Sequence, residues 1–96
     1  MLVRLVFPAE EELEEAVRFY EARRIGLGLE FLDAIDAALA RVRERPNAWR
    51  KFSPGFRRCL LERFPFALIY RVTESELIIV AVMHVRREPG YWRTRL

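Results

Sequence analysis

The stretch Leu77-Ile78-Ile79-Val80-Ala81-Val82-Met83-His84-Val85 decides the fold, because every residue in it except His84 is apolar. A strand built from it is apolar on both faces, which marks a central strand with one face under the helices and the other partly covered. Nine residues fall far short of the ~20 a membrane helix needs. Upstream, Thr73-Glu74-Ser75-Glu76 reads as a hairpin loop leading back to a strand at Phe66–Val72. Pro65 interrupts the step before it, so a bend or an edge position is expected there, and Arg57–Phe64 reads as a third strand.

Further from the centre the period changes from two to 3.6. Leu32, Ile35, Leu39 and Val42, widened by Phe31 and Ala38, give one apolar face to a helix over about Leu29–Arg45, which Pro46 ends. Gly26-Leu27-Gly28 supplies a tight turn, and Leu13, Ala16, Val17 and Tyr20 define the stripe of a preceding helix that runs to about Arg24. Pro8 suits the first turn of that helix, and Glu10, Glu11, Glu12, Glu14 and Glu15 lie where its dipole favours negative charge. Leu2–Phe7 reads as an opening strand. Pro46–Phe56, with two prolines and Gly55, reads as a loop whose Trp49 and Phe52 fold back as anchors. The predicted architecture is α+β: an N-terminal strand, a helical hairpin, then three antiparallel strands in a small sheet with both helices on one face.

Ninety-six residues suit one domain, here 1–96, and 52% hydrophobic with 32% charged residues excludes disordered and low-complexity classes. The single cysteine, Cys59, makes no internal disulfide and argues for a cytoplasmic location. Met1–Phe7 is too short for the apolar region of a signal peptide. The net charge of +3 hides a strong asymmetry. Residues 1–48 hold seven Arg against ten acids, and residues 49–96 hold nine Arg and Lys51 against four, so the second half carries +6. Arginine presents a planar fork matched to phosphate and carboxylate, so a polyanion or an acidic protein partner is expected.

No Gly-rich phosphate loop, paired-histidine metal signature or cysteine cluster occurs, so neither a metal nor a cofactor is expected. Ser53 and Ser75, the only serines, lack the context of an acyl-transfer nucleophile. The acids Glu10–Glu15 read as a solvated helix start. What remains is a cluster near the strand ends: Arg57, Arg58, Arg63, Arg71, His84, Arg86, Arg87, Tyr91, Trp92, Arg93 and Arg95. Basic groups interleaved with aromatics suit phosphate contact and base stacking. Alternation places His84 and Arg86 on the sheet face of Ile78, Val80 and Val82. His84 is either a general acid or base for phosphodiester cleavage or a residue bonded to neighbouring backbone. Tyr91 and Trp92 are either target-facing rings or packing anchors.

Leu27-Gly28-Leu29-Glu30-Phe31-Leu32, Pro46, Gly55-Phe56-Arg57-Arg58, the run Arg63–Arg71 and His84-Val85-Arg86-Arg87-Glu88-Pro89-Gly90-Tyr91-Trp92 together resemble the RelE/ParE superfamily of bacterial toxins. The resemblance covers nearly the whole chain. It implies the toxin of a type II toxin-antitoxin pair, as found in plasmid stabilization modules, bound by a cognate antitoxin whose extended or helical tail wraps it. A homodimer or a toxin-antitoxin hetero-oligomer is the implied assembly. RelE-like members are ribosome-dependent mRNA endonucleases. On that pattern Arg58, Arg71, His84, Arg86 and Tyr91 would be catalytic, acting on ribosome-bound mRNA. ParE-like members instead bind and inhibit DNA gyrase, and then Arg57, Arg63, Arg87, Trp92 and Arg93 would contact the target. The lysines of the best-known nucleases are represented here only by Lys51, and arginine, fixed in its charged form, is a poor general base. The long hairpin and the Arg-Arg-Glu-Pro-Gly-Tyr-Trp segment resemble the ParE side, which is the side favoured over a RelE-like nuclease and over a non-toxic small RNA-binding or interaction module.

Overall fold

In the computed structural model, which describes residues 1–96, the chain runs β1 (Leu2–Leu5), α1 (Phe7–Arg23), α2 (Leu27–Glu44), β2 (Lys51–Ser53), β3 (Phe56–Leu60), β4 (Phe66–Val72) and β5 (Glu76–His84). A short 3-10 turn, Arg93–Arg95, follows. The strands form one sheet in the order β1-β5-β4-β3-β2, so β5 is flanked on both sides, as its uninterrupted apolar run requires. Leu77 to Met83 are all buried. The class is α+β with two helices and a sheet, and the sheet is mixed. β1 runs parallel to β5, whereas β2–β3, β3–β4 and β4–β5 are antiparallel.

Three differences from the sequence reading have physical causes. The expected three-strand set gains β2, a three-residue strand inside the expected loop, paired through Lys51–Arg57 and Ser53–Phe56. It is too short and too polar to show a period of two. The strand expected over Arg57–Phe64 stops at Leu60, and the chain then turns through Arg63, the only non-glycine residue with positive φ, 70°. Glu30 on α2 holds that turn through a 2.8 Å bond from the Arg63 guanidinium. Finally, Val80 is skipped in the pairing: Ile69 faces Ala81 and Tyr70 faces Ile79. This bulge changes the alternation, so Val82 and His84 lie on the helix side while Ile78, opposite Arg71, lies on the other.

The helices bury a stripe rotated from the expected one. On α2 it runs Gly28, Phe31, Ile35, Ala38, Val42, with Leu32 and Leu39 only half-buried. Phe31 sits at the centre of an aromatic knot, 5.3 Å from the Tyr20 ring, 5.1 Å from Phe64 and 5.0 Å from Phe66. Each such pair contributes roughly 0.5–1.5 kcal/mol beyond its burial. The knot joins α1, α2 and the start of β4. Only Gly26 of the expected turn lies outside the helices, at φ 91°. The Glu21 carboxylate accepts from the Gly26 and Gly28 amides at 3.0–3.1 Å, replacing the partners a helix start lacks.

Gly28 is needed for a different reason, close approach. A Cβ there would stand 2.9 Å from the Val17 carbonyl oxygen, a backbone atom of α1. Gly28→Ala gains about 1 kcal/mol of helix propensity but forces the hairpin apart, at a cost of about 1–3 kcal/mol. A net fall in the thermal midpoint of several degrees is expected by circular dichroism, where a surface Gly→Ala in a helix would raise it.

Candidate functional site

β1 pairs with β5 only as far as Leu5–Ile79, after which the Val6 amide donates to the Ile79 carbonyl and the chain turns into α1. From Val80 to His84 the outer edge of β5 has no strand beside it. A bare edge is costly when buried and invites pairing when exposed. Side chains take the place of the strand. The Val82 amide donates to Glu12 Oε1 at 3.0 Å, and Arg95 Nη1 donates to the Val80 carbonyl at 2.9 Å. The two side chains also pair: Arg95 Nη1 meets Glu12 Oε1 at 2.9 Å and Nη2 meets Oε2 at 3.0 Å. This two-point fork is the strongest geometry available to such a pair. The side chains are only 11% and 15% exposed.

Glu12 gathers further donors. The Tyr91 hydroxyl reaches Oε2 at 2.7 Å and Arg87 Nη1 reaches it at 3.4 Å. The Arg87 guanidinium lies 3.8 Å from the centre of the Tyr91 ring, with Arg95 5.0 Å from the same ring. Burial, and then the Glu12 hydrogen bond, push the Tyr91 phenol well above its ordinary range. Arg95's own hydrogen bonds to Glu12 raise the Arg95 pKa. One carboxylate on α1 therefore fastens the segment that follows β5. Its place in the buried stripe was readable, since Ala9, Glu12 and Ala16 follow one another at i, i+3 and i+7. The expectation of a solvated helix start holds for its neighbours and fails for Glu12.

Beside this clamp, between α1 and the ends of β4 and β5, lies a groove of about 450 Å³. Phe19, Tyr20, Phe66 and Val82 give it an apolar floor, and Glu12, Glu15, His84 and Arg87 rim it. His84 packs edge-on to Phe66 at 5.1 Å, and its Nδ1 accepts the Arg86 amide at 3.1 Å. β5 ends at His84, so Arg86 stands beyond the strand with an exposed side chain and is not fixed to a sheet face with it.

The remaining residues marked by the sequence divide among other places. Arg57 points to the helix side and donates to the Trp49 carbonyl at 2.7 Å. Arg63 belongs to the α2 turn, paired with Glu30. Arg58 and Arg71 lie on the sheet face away from the helices. His84 lies on the helix side, at the opposite end of the β4–β5 pair from Arg71, and Tyr91 is bonded to Glu12 on α1, so the five residues Arg58, Arg71, His84, Arg86 and Tyr91 do not form one constellation. Trp92 is wholly buried against Phe56 and Phe52, with ring centres 4.7 and 5.9 Å away. It packs the open sheet face and has no surface to offer a target. Its Nε1–H is the one buried side-chain polar atom without a partner. Arg93, beside it, is exposed and bonds Ser53 Oγ at 3.3 Å. No three His, Cys, Asp or Glu side chains come together as a set able to hold a metal ion. No helix is long and apolar enough to cross a membrane.

The family model described as the ParE toxin of type II toxin-antitoxin systems, parDE, matches residues 3–89, from β1 to just beyond β5. Among solved structures, a chain of the chromosomal ParDE toxin-antitoxin system from P. aeruginosa is similar. It shares 27% identity and a TM-score of 0.76, over 88% of this chain and 96% of that one. No curated protein sequence matches significantly.

Glu12→Ala removes the partner of a largely buried arginine and uncovers the Val82 amide, a loss of about 2–4 kcal/mol. Thermal midpoints by circular dichroism should fall in the order wild type, Tyr91→Phe, Glu12→Gln, Glu12→Ala. A second expectation concerns alkaline pH. Burial raises Tyr20, pushes Tyr70 up to about 12 and raises Tyr91, all from an ordinary 10.0. Stability from a raised phenol is complete below the unfolded pKa and is lost as pH climbs through the folded one. Absorbance at 295 nm should therefore show well under half of the tyrosine ionised at pH ~10 in the folded protein, against about half in guanidinium.

Proposed function

Because the chain belongs to the ParE toxin family of type II toxin-antitoxin systems, we propose that it arrests growth by binding and inhibiting DNA gyrase, and that a cognate antitoxin holds it in check. The observation that supports binding over cleavage is the engagement of Tyr91 and His84, the proton-transfer candidates of the cleavage reading. The Tyr91 hydroxyl is bonded to Glu12 and its ionisation is pushed further from neutral pH. The His84 ring bonds the Arg86 amide through Nδ1. The arginines around them stay charged and supply no base. A protein that acts by docking needs none.

We assign the target-facing surface to the exposed guanidiniums at the end of β5, Arg86 and Arg87, which the Glu12 clamp holds against a fixed frame. The antitoxin is assigned to the groove beside α1. Its apolar floor and its Arg87 and His84 rim suit an amphipathic segment carrying acidic residues. The similar chain from P. aeruginosa is itself part of a toxin-antitoxin system.

Purified protein added to a gyrase supercoiling reaction should inhibit it. The Arg86→Ala/Arg87→Ala variant should lose inhibition by roughly tenfold or more, about 1.4 kcal/mol, with a thermal midpoint moved only a few degrees. His84→Ala should inhibit nearly as well as wild type. The contrary result is uninhibited gyrase together with discrete new mRNA ends in a bacterial translation extract, appearing only when ribosomes are present. That pattern would establish the endonuclease reading.

A further inference from the structure

The sheet face away from the helices carries a second basic arrangement that the clamp does not use. Arg58 on β3 is paired with Ile69 on β4, and Arg71 lies two residues along on the same face. The two arginines are therefore diagonal neighbours, with backbones roughly 7–8 Å apart. Beneath them is a cluster of three rings: Phe52, Phe56 and Trp92. Each ring carries one guanidinium. Arg58 is 4.6 Å from the centre of Phe52, Arg71 is 4.4 Å from Phe56, and Arg93 is 5.8 Å from Trp92. Arg71 Nε and Arg93 Nε are each tethered once more, at 3.4 Å to the Gly55 carbonyl and at 3.3 Å to Ser53 Oγ.

None of the three has a carboxylate partner, whereas Arg4, Arg18, Arg24, Arg41, Arg63, Arg87 and Arg95 all do. Three guanidiniums held in place by stacking, each with donors unspent, make a site for anions in series. The rings set the ligand class by being occupied. Single-stranded nucleic acid is gripped chiefly by stacking bases on free aromatic faces. Here Phe52 and Phe56 are capped by arginine and Trp92 is buried. Contact is left to the phosphates, and a duplex presents phosphates while keeping its bases stacked.

We propose that Arg58, Arg71 and Arg93 form a binding site for the phosphate backbone of duplex DNA, without sequence preference. This site is separate from the gyrase-facing surface assigned above, and it is tested with no gyrase present. Three phosphate contacts correspond to a slope of about −2.7 in log affinity against log salt. Between 50 and 200 mM salt that is about a 40-fold loss of affinity.

The experiment is fluorescence anisotropy with the full chain and a labelled 20-base-pair duplex, across a salt series. Arg58→Gln/Arg71→Gln/Arg93→Gln should lose most of the slope. Arg18→Gln/Arg43→Gln/Arg45→Gln, which removes the same charge from the helices and the residue that caps α2, should keep it. Arg93→Gln alone changes an exposed side chain, and it should lower the slope by about one contact, 0.9, even if the triple variant fails to fold. Two unrelated duplex sequences should bind equally. Several results would overturn the site: no binding at 50 mM salt, equal losses in the two triple variants, or an unchanged slope in Arg93→Gln. Tighter binding to a single strand, or displacement of the duplex by polyglutamate at lower charge concentration than by unlabelled DNA, would also overturn it. The first would assign free stacking faces, the second a protein partner.

Discussion

Everything in this molecule turns on two parallel strands of unequal length. β1 stops at Leu5 because the chain must enter α1, while β5 continues to His84. The unpaired stretch of β5 edge would be exposed to any passing strand or left without partners under packed side chains. A carboxylate from α1 and a guanidinium from the chain's end stand in for the missing strand, one accepting from Val82 and the other donating to Val80. That substitution fixes α1 against the sheet from one side and the post-β5 segment from the other. Trp92 is then carried onto the open sheet face, where it closes the core that no second helical layer covers. The frame on which Arg86 and Arg87 are displayed follows from a hydrogen-bond deficit in a sheet edge.

Charge is distributed by the same economy. The acids of the helices meet arginines both near and far in the chain: Glu30 with Arg24 and Arg63, Glu14 with Arg18, Glu12 with Arg87 and Arg95. Pairs as exposed as Glu14–Arg18 contribute little to stability. The effect of the ion pairs on function is subtractive, since they occupy seven arginines and leave Arg58, Arg71 and Arg93 among those without a carboxylate. Part of the +6 of residues 49–96 is thereby gathered on the open sheet face, at Arg58, Arg71 and Arg93. The same residues that close the core, Phe52, Phe56 and Trp92, set the orientation of the free guanidiniums. A toxin of the ParE family thus presents two distinct basic surfaces, and the Glu12 clamp connects them by fixing the segment between His84 and Arg95.

The central strand was legible because nine successive apolar or nearly apolar residues leave little choice, and the helices because their stripes recur over several turns. Pro46 and Gly26 marked real boundaries. Gly28 misled, since a glycine required for helix contact and a glycine required for a turn look alike in a linear chain. β2 was illegible because three residues carry no period, and the bulge at Val80 because it depends on how two strands align. The bulge changed which residues before Val80 share a face with His84, while Val82 kept its place. Whether Trp92 faced a target or anchored the core stayed open, since composition records that an indole is present and not what packs on it. Glu12 was hidden among five glutamates, although its stripe position set it apart.

Apart from the toxin-family resemblance, which rests on ordered motifs, the linear chain carried the order of every element but β2, the identity of the buried strand and the basic second half. Those properties are written in local spacing and in counts, which need no third dimension. Tertiary structure alone decided which glutamate is buried, which arginines are spent on carboxylates and which are free, and which aromatic rings are covered. Each of those depends on atoms distant in the chain, as Glu12 is from Tyr91 and Arg95. An unpaired charge and a paired one have the same letter until the fold brings, or fails to bring, a partner within hydrogen-bond reach.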